Sequence, residues 1–254
     1  MVLLKSEREI GLMRDSAKIL KEVFLGLKDQ LKPGIRTKDI DLKAERLIRS
    51  LGAESAFLGY RGFPASVCIS VNDEVVHGIP RDRIIKDGDI VSLDMGVKYK
   101  GYCSDAARTW PVGKVSDGLK RLIQVTRDAL YQGIGAVKLG GKIGDVSHSV
   151  QQYVEKHGYG VVRDFVGHGI GRNLHEDPQV PNYGSPGRGI KIEEGLVIAI
   201  EPMVNMGKPG VRILEDGWTV VTEDGSVSAH FEETVAMTKN GLEVLTRFEK
   251  ENSI

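Results

Sequence analysis

Residues 88–94 read GDIVSLD, and residues 195–201 read GLVIAIE. Each stretch is a glycine, a mostly apolar run, and a carboxylate six positions after the glycine. A short apolar run bounded by glycine reads as a buried strand. Burying an ionised carboxylate at its end is costly without a partner. One such acid reads as a strand end that meets water; two in the same setting ask for a repeat.

Further correspondences follow in the same order along the chain. HGI occurs at 77–79 and at 168–170, and GYCSDAA (101–107) lines up with SAHFEET (228–234), each with an acid inside a strand. LKPGIRTKDIDLKAERLIRSLG (31–52) lines up with VKLGGKIGDVSHSVQQYVEKHG (137–158), where Gly34, Asp39, Ile40, Ile48 and Gly52 match Gly140, Asp145, Val146, Val154 and Gly158. The matches predict an α/β chain of two related halves, about 1–115 and 116–254, within one catalytic domain. Its chemistry is expected where equivalent strands meet.

Helices are expected beside these strands. Ser6 and Glu9 form a capping box, followed at helical spacing by Ile10, Met13, Ala17, Leu20, Phe24 and Leu27 up to Pro33-Gly34. Thr37 is expected to cap a second helix ending at Gly52, and others lie near 119–131 and 145–156. Strands are expected at 66–71, 90–95, 102–110, 161–165, 196–200, 218–222 and 234–237.

The 254 residues carry 35 Lys plus Arg against 35 Asp plus Glu, and this balance argues against a nucleic-acid substrate or a membrane surface. Cys68 and Cys103 are the only cysteines and form no CxxC, which suits a reducing compartment. The opening MVLLKSEREIGLMRD lacks the apolar run of a secretory signal, and no uncharged run reaches membrane-spanning length. A cytoplasmic protein is expected.

Asp94, Asp105, Glu201 and Glu232 occupy matching places in the repeat, so they are expected to converge, and converging acids need cations. FVGHGIGRNLHEDPQVPNY (165–183) offers one imidazole to such a cluster, His168, among glycines that permit close backbone approach. One imidazole with four carboxylates is an oxygen-rich set suited to Mn²⁺, Fe²⁺, Co²⁺ or Zn²⁺ rather than to a thiolate zinc site. Four carboxylates neutralise two divalent ions and leave room for a bridging hydroxide, the arrangement of a two-metal hydrolase. GHGIG is not the dinucleotide GxGxxG, and neither a GxxxxGKS/T phosphate loop nor an HExxH zinc motif is present.

LDMGVKYKGYCSDAAR, GHGIGRNLHEDP, AIEPMV and HFEET, in this order and spacing, closely resemble the short bacterial form of the type I methionine aminopeptidases. The resemblance runs from the first helix to GLEVLT (241–246), and the gap of eleven from Asp94 to Asp105 is its most specific part. It implies the pita-bread fold, a pseudo-twofold pair of α/β halves with antiparallel sheet and flanking helices. It also implies a metal-dependent aminopeptidase that removes the initiator methionine from nascent proteins, a metal-bridged hydroxide attacking the first peptide bond. The substrates implied are nascent chains with a small second residue, met near the ribosome, and a monomer is expected.

The implied ligands of the two ions are Asp94, Asp105, His168, Glu201 and Glu232, with Asp94 and Glu232 bidentate and Asp105 and Glu232 bridging. Glu201 matches the residue that also shuttles the proton. His175 matches the histidine that stabilises the tetrahedral intermediate or contacts the substrate carbonyl, and His77 the one beside the scissile amide. Phe57, Tyr60, Phe63, Cys68, Leu174 and Trp218 match the apolar pocket for the methionine side chain. His148, His157 and His230 have no such context; the first two are expected on helix surfaces and His230 in a structural place. Glu233 stands where relatives often carry histidine. Strand alternation lets only one of Glu232 and Glu233 face the ions, and the motif favours Glu232.

Two alternatives share this scaffold. Xaa-Pro aminopeptidases and prolidases use the same ligands but carry a preceding domain, for which the ligands beginning at Asp94 leave no room. A non-catalytic binding protein would have lost ligands, whereas all five, with His77 and His175, are present.

Overall fold

Ser6 opens the first helix as the capping box requires: its side chain accepts from Glu9 N–H and the Glu9 carboxylate returns the bond. The structure of the protein, a computed structural model, describes residues 1–248. Helix α1 (Glu7–Lys28) buries Ile10, Met13, Ala17, Leu20, Phe24 and Leu27 on one face, as its spacing predicts. Helix α2 (Thr37–Ser50) differs at its start. Arg36 is the cap residue, and the Thr37 hydroxyl instead donates to the Arg81 carbonyl and accepts from Arg81 N–H. The remaining helices are α3 (Asp117–Ala136), capped by Ser116, and α4 (Ile143–Lys156).

The main sheet has nine strands: β1 (Glu54–Ser55), β2 (Cys68–Val71), β3 (Ile90–Tyr99), β4 (Tyr102–Pro111), β5 (Gly167–Gly169), β6 (Glu176–Val180), β7 (Val197–Ile200), β8 (Glu232–Thr238) and β9 (Gly241–Val244). Their order is β1-β3-β4-β8-β7-β5-β6, with β2 also on β3 and β9 also on β8. Every pairing is antiparallel. GDIVSLD runs into β3 and GLVIAIE into β7, and the order β3-β4-β8-β7 places them as equivalent flanks of a central β4–β8 pair. This curled antiparallel sheet with helices against it is the pita-bread architecture.

Strand β3 outruns the expected 90–95 because hairpin pairing from Ile90↔Pro111 to Tyr99↔Tyr102 carries the ladder past the apolar stretch, while β4 matches the expected 102–110 to within one residue. The expected 161–165 shrinks to Gly160–Val161, and 218–222 to Val220–Thr222; each joins a separate three-stranded sheet. Helices α1 and α2 press Leu20, Phe24 and Ile48 onto Val91, Leu93 and Met95. Helices α3 and α4 press Leu122, Leu130 and Val150 onto Ile198, Ile200 and Val235. Fully burying each such side chain contributes about 1.5–3 kcal/mol, which holds both helix pairs on the sheet that carries the site.

Candidate metal centre

Register explains how distant acids meet. Cys68 pairs with Asp94, Asp94 with Ala107 and Ala107 with Glu232, a single row across β2, β3, β4 and β8. Directly paired residues share a face, so Cys68, Asp94 and Glu232 point the same way. Asp105, two residues before Ala107, joins them. Ile200, the last residue of β7, pairs with Glu233, so the chain leaves β7 with Glu201 beside Glu232. His168 arrives on β5, whose Gly169 pairs with Ile198. A Cβ on Gly167 would strike the Ala199 carbonyl, and one on Gly169 the Asp177 carbonyl. The glycines flanking His168 are therefore required by close sheet packing.

The five side chains converge. Candidate ligand atoms of Asp105, His168 and Glu232 all lie within 4.8 Å of one another. His168 Nε2 is 3.8 Å from Asp105 Oδ2 and 3.6 Å from Glu201 Oε1. His168 Nδ1 donates to the Gly169 carbonyl at 2.9 Å, which leaves the Nε2 lone pair facing the acids. The Thr234 hydroxyl accepts from Asp105 N–H and donates to the Asp105 carbonyl, and Asn182 holds the Glu201 carbonyl at 3.0 Å. These bonds fix the backbone that carries the carboxylates.

Asp94 Oδ1, Asp105 Oδ1 and Glu232 Oε1 are buried with no hydrogen-bond partner among the described residues. Burial, reinforced by the Asp105 charge, pushes Asp94 well above the usual carboxylate range; burial with the Asp94 and Asp105 charges does the same to Glu201, and burial with Asp105, Glu201 and Asp94 to Glu232. Burial raises Asp105 to about 8. Burial, with a smaller contribution from His175, lowers His168 to about 3, so its imidazole is neutral and able to ligate. Native proteins rarely leave several buried carboxyl oxygens unpaired. Divalent cations would satisfy all of them at once and hold the acids ionised. The donor set fits a divalent ion with oxygen preference.

Beside these acids lies a cavity of about 260 Å³, walled by Phe57, Tyr60, Phe63, Cys68, His77, Leu174, His175 and Trp218, which includes every residue expected there. Phe63 packs edge-on against Phe57 and Trp218, with ring centroids 6.4 Å and 5.2 Å away. The His175 ring stacks on Tyr60 and stands 4.2 Å from the His168 ring, and Nδ1 takes the Tyr60 hydroxyl at 2.8 Å. With that hydroxyl donating, Nε2–H of neutral His175 is left to donate into the cavity. Burial, then the Arg61 charge, lowers His175 to about 4, and burial does the same for His77. His77 has a left-handed φ of 59°, held by Ser70 and Ile69 bonding to Gly78.

Arg61 and Phe165 also line the cavity, and neither carries a chemical signal in the sequence. His230, expected in a structural place, lies beside the acids. Both ring nitrogens are buried with no hydrogen-bond partner among the described residues, and Nε2 is 3.7 Å from Glu201 Oε2. Its offset of two from Glu232 is the signal that could have placed it there. His148 lies in α4 and His157 at its C-cap, both half-buried. A larger surface hollow of about 650 Å³, bounded by Met1, Ile143, Tyr183 and Arg188, contains none of the five converging residues.

Metallopeptidase family M24 matches residues 11–239. A methionine aminopeptidase of Clostridium perfringens is 54% identical over 246 residues, covering 97% of this chain and 99% of that one. The crystal structure of methionine aminopeptidase from Rickettsia prowazekii superposes with a TM-score of 0.96 at 43% identity, covering 97% of this chain and all of that one. Prolidase from Pyrococcus furiosus superposes less well, at a TM-score of 0.79 and 25% identity, and the match covers 66% of its chain. The chain belongs to metallopeptidase family M24, and within it to the methionine aminopeptidases.

Proposed function

We propose how this metalloaminopeptidase, which removes the initiator methionine of nascent proteins, divides the work among its residues. The observation that carries the reading is the trio of buried carboxyl oxygens with no hydrogen-bond partner among the described residues, beside His168 at one side of an aromatic cavity. Asp94, Asp105, His168, Glu201 and Glu232 hold two divalent ions, drawn from Mn²⁺, Fe²⁺, Co²⁺ or Zn²⁺. Such ions supply ionised water near neutral pH and stabilise the oxyanion that forms at the attacked carbonyl.

The chain's own groups do the rest. Phe57, Phe63, Cys68, Leu174 and Trp218 bury the methionine side chain, and Tyr60 fixes the ring of His175. That ring donates from Nε2 to the substrate carbonyl as negative charge develops there. His77, neutral and fixed by its strained backbone, contacts the scissile amide. Glu201, held ionised beside the cations, takes a proton from water and returns it to the leaving amine. The protein acts as a single cytoplasmic catalytic unit of two halves, about 1–115 and 116–254, on chains with a small second residue as they leave the ribosome. Among the described residues no helix is long and apolar enough to cross a membrane.

The test is release of methionine by metal-stripped protein from Met-Ala-Ser, Leu-Ala-Ser and Ala-Pro-Ala after adding back each metal. Metal-dependent release from the first, with little from the others, is expected. Cleavage only before proline would move the chain to the prolidase activity, and no cleavage with any metal would leave a binding protein.

A further inference from the structure

Arg108 and Glu233 take no part in the chemistry above, yet their side chains are 1% and 0% exposed. They lie on the face of the β4–β8 pair opposite the acids. Arg108 Nη2 donates to Glu233 Oε1 at 2.5 Å. Its Nη1 donates to the Glu232 carbonyl at 2.5 Å and to the Ala107 carbonyl at 2.8 Å. Glu232 and Ala107 are directly paired, so one guanidinium grips both strands at the rung that presents Glu232. The ladder there is short, with rungs at Glu232↔Ala107 and Glu233↔Ala106.

The grip is itself braced. The Thr246 hydroxyl donates to Glu233 Oε2, and the Tyr131 hydroxyl donates to Oε1 at 3.3 Å. The Phe248 ring lies 4.5 Å from the guanidinium carbon. A planar fork with fixed donor directions sets geometry more tightly than a point charge would. A buried ion pair, by contrast, adds little net stability over an apolar pair of similar volume. What it contributes here is position.

We propose that the Arg108–Glu233 pair is a positioning device for the Glu232 carboxylate. By clamping the central strands it fixes the spacing between Glu232 and Asp105, and so the affinity of the site for divalent cations. The proposal rests on the reading of Glu232 and Asp105 as ligands. Outer partners of ligands commonly change metal affinity or activity about ten- to a hundredfold.

The test titrates Mn²⁺ calorimetrically into the metal-free parent, the Glu233→Gln variant and the double variant R108M/E233M, with thermal melting and kcat and KM for Met-Ala-Ser beside it. Glu233→Gln is expected to weaken Mn²⁺ binding about ten- to a hundredfold and lower kcat, with KM unchanged because the methionine cavity is untouched. The double variant leaves neither charge unpaired. It is expected to melt near the parent while showing the same loss of affinity, a pattern that a purely stabilising pair would not give. A folded variant of either kind that binds Mn²⁺ as tightly as the parent overturns the proposal. Where both fail to fold, Arg108→Lys keeps the charge and loses the fork, and undiminished affinity in it is decisive in the same way. A parent that binds no Mn²⁺ would instead overturn the reading of Glu232 as a ligand.

Discussion

Glu232 and Glu233 are adjacent in one strand and almost wholly buried, at 2% and 0% exposure, but their surroundings are opposite. Glu233 receives an arginine, a threonine hydroxyl and a tyrosine hydroxyl from the protein. Glu232 faces Asp94, Asp105 and Glu201, with one carboxyl oxygen unpartnered, and those like charges help push its pKa up. Among the described residues, Arg108 forms an ion pair with the carboxylate of one buried acid, and no cation pairs with the carboxylate of its neighbour. Burial by itself therefore does not mark a functional acid. Burial among other acids, with the counter-charge missing, does.

The comparison breaks most visibly on the metal-facing side. Glu201→Gln keeps shape and loses the proton carrier, so kcat is expected to fall about 10²–10⁴-fold. His168→Ala removes the single nitrogen ligand, and metal content and turnover are expected to fall together; full metal occupancy in that variant would take His168 out of the ligand set. His175→Ala should cost about 10²–10³ in kcat, the range for one oxyanion donor, with metal retained. Loss of metal as well would collapse the proposed division between the two histidines. Next comes the cavity. Its walls should prefer methionine over leucine or norleucine by only about 1–3 kcal/mol, read from the ratios of kcat/KM on matched tripeptides. A ratio far above that range would require a polar contact to the thioether.

The smallest expected effect is in stability against pH. In metal-free protein the folded pKa of Asp105 is about 8, far above its unfolded value of about 3.9. A raised folded pKa gives stability that is whole below the unfolded value and lost as pH rises through the folded one. His168, lowered to about 3, works in the opposite sense. Its share is whole above about 6.5 and lost as pH falls through the window down to about 3. Between pH 6.5 and 8 the histidine gives no slope, so the melting temperature of metal-free protein should fall as pH rises. Saturating Mn²⁺ holds the carboxylates ionised and should reverse that trend. Parallel melting curves with and without metal would count against an acid cluster built for cations.

Much of this was legible in the sequence, because repetition converts single weak signals into a pattern. Asp94 and Glu201 each follow an apolar run, and their matching contexts are enough to expect convergence from sequence alone. Motif resemblance then supplied the aromatic walls. What could not be read is register across long separations. Nothing local says that Arg108 will reach a carbonyl 124 positions away, or that His230 will face Glu201. Glu233 looked like a departure from pattern; its meaning came only with the ion pair. Thr37 shows a smaller version of the same limit, since its hydroxyl serves Arg81 in a distant loop rather than its own helix.

The most direct test of the cation argument is calorimetric titration of Mn²⁺ into the folded, metal-stripped protein in two buffers of different ionisation enthalpy near pH 7. The expected result is two ions bound per chain with release of protons, since carboxyls neutral in the empty site must ionise to ligate. No binding, or binding without proton release, would contradict it.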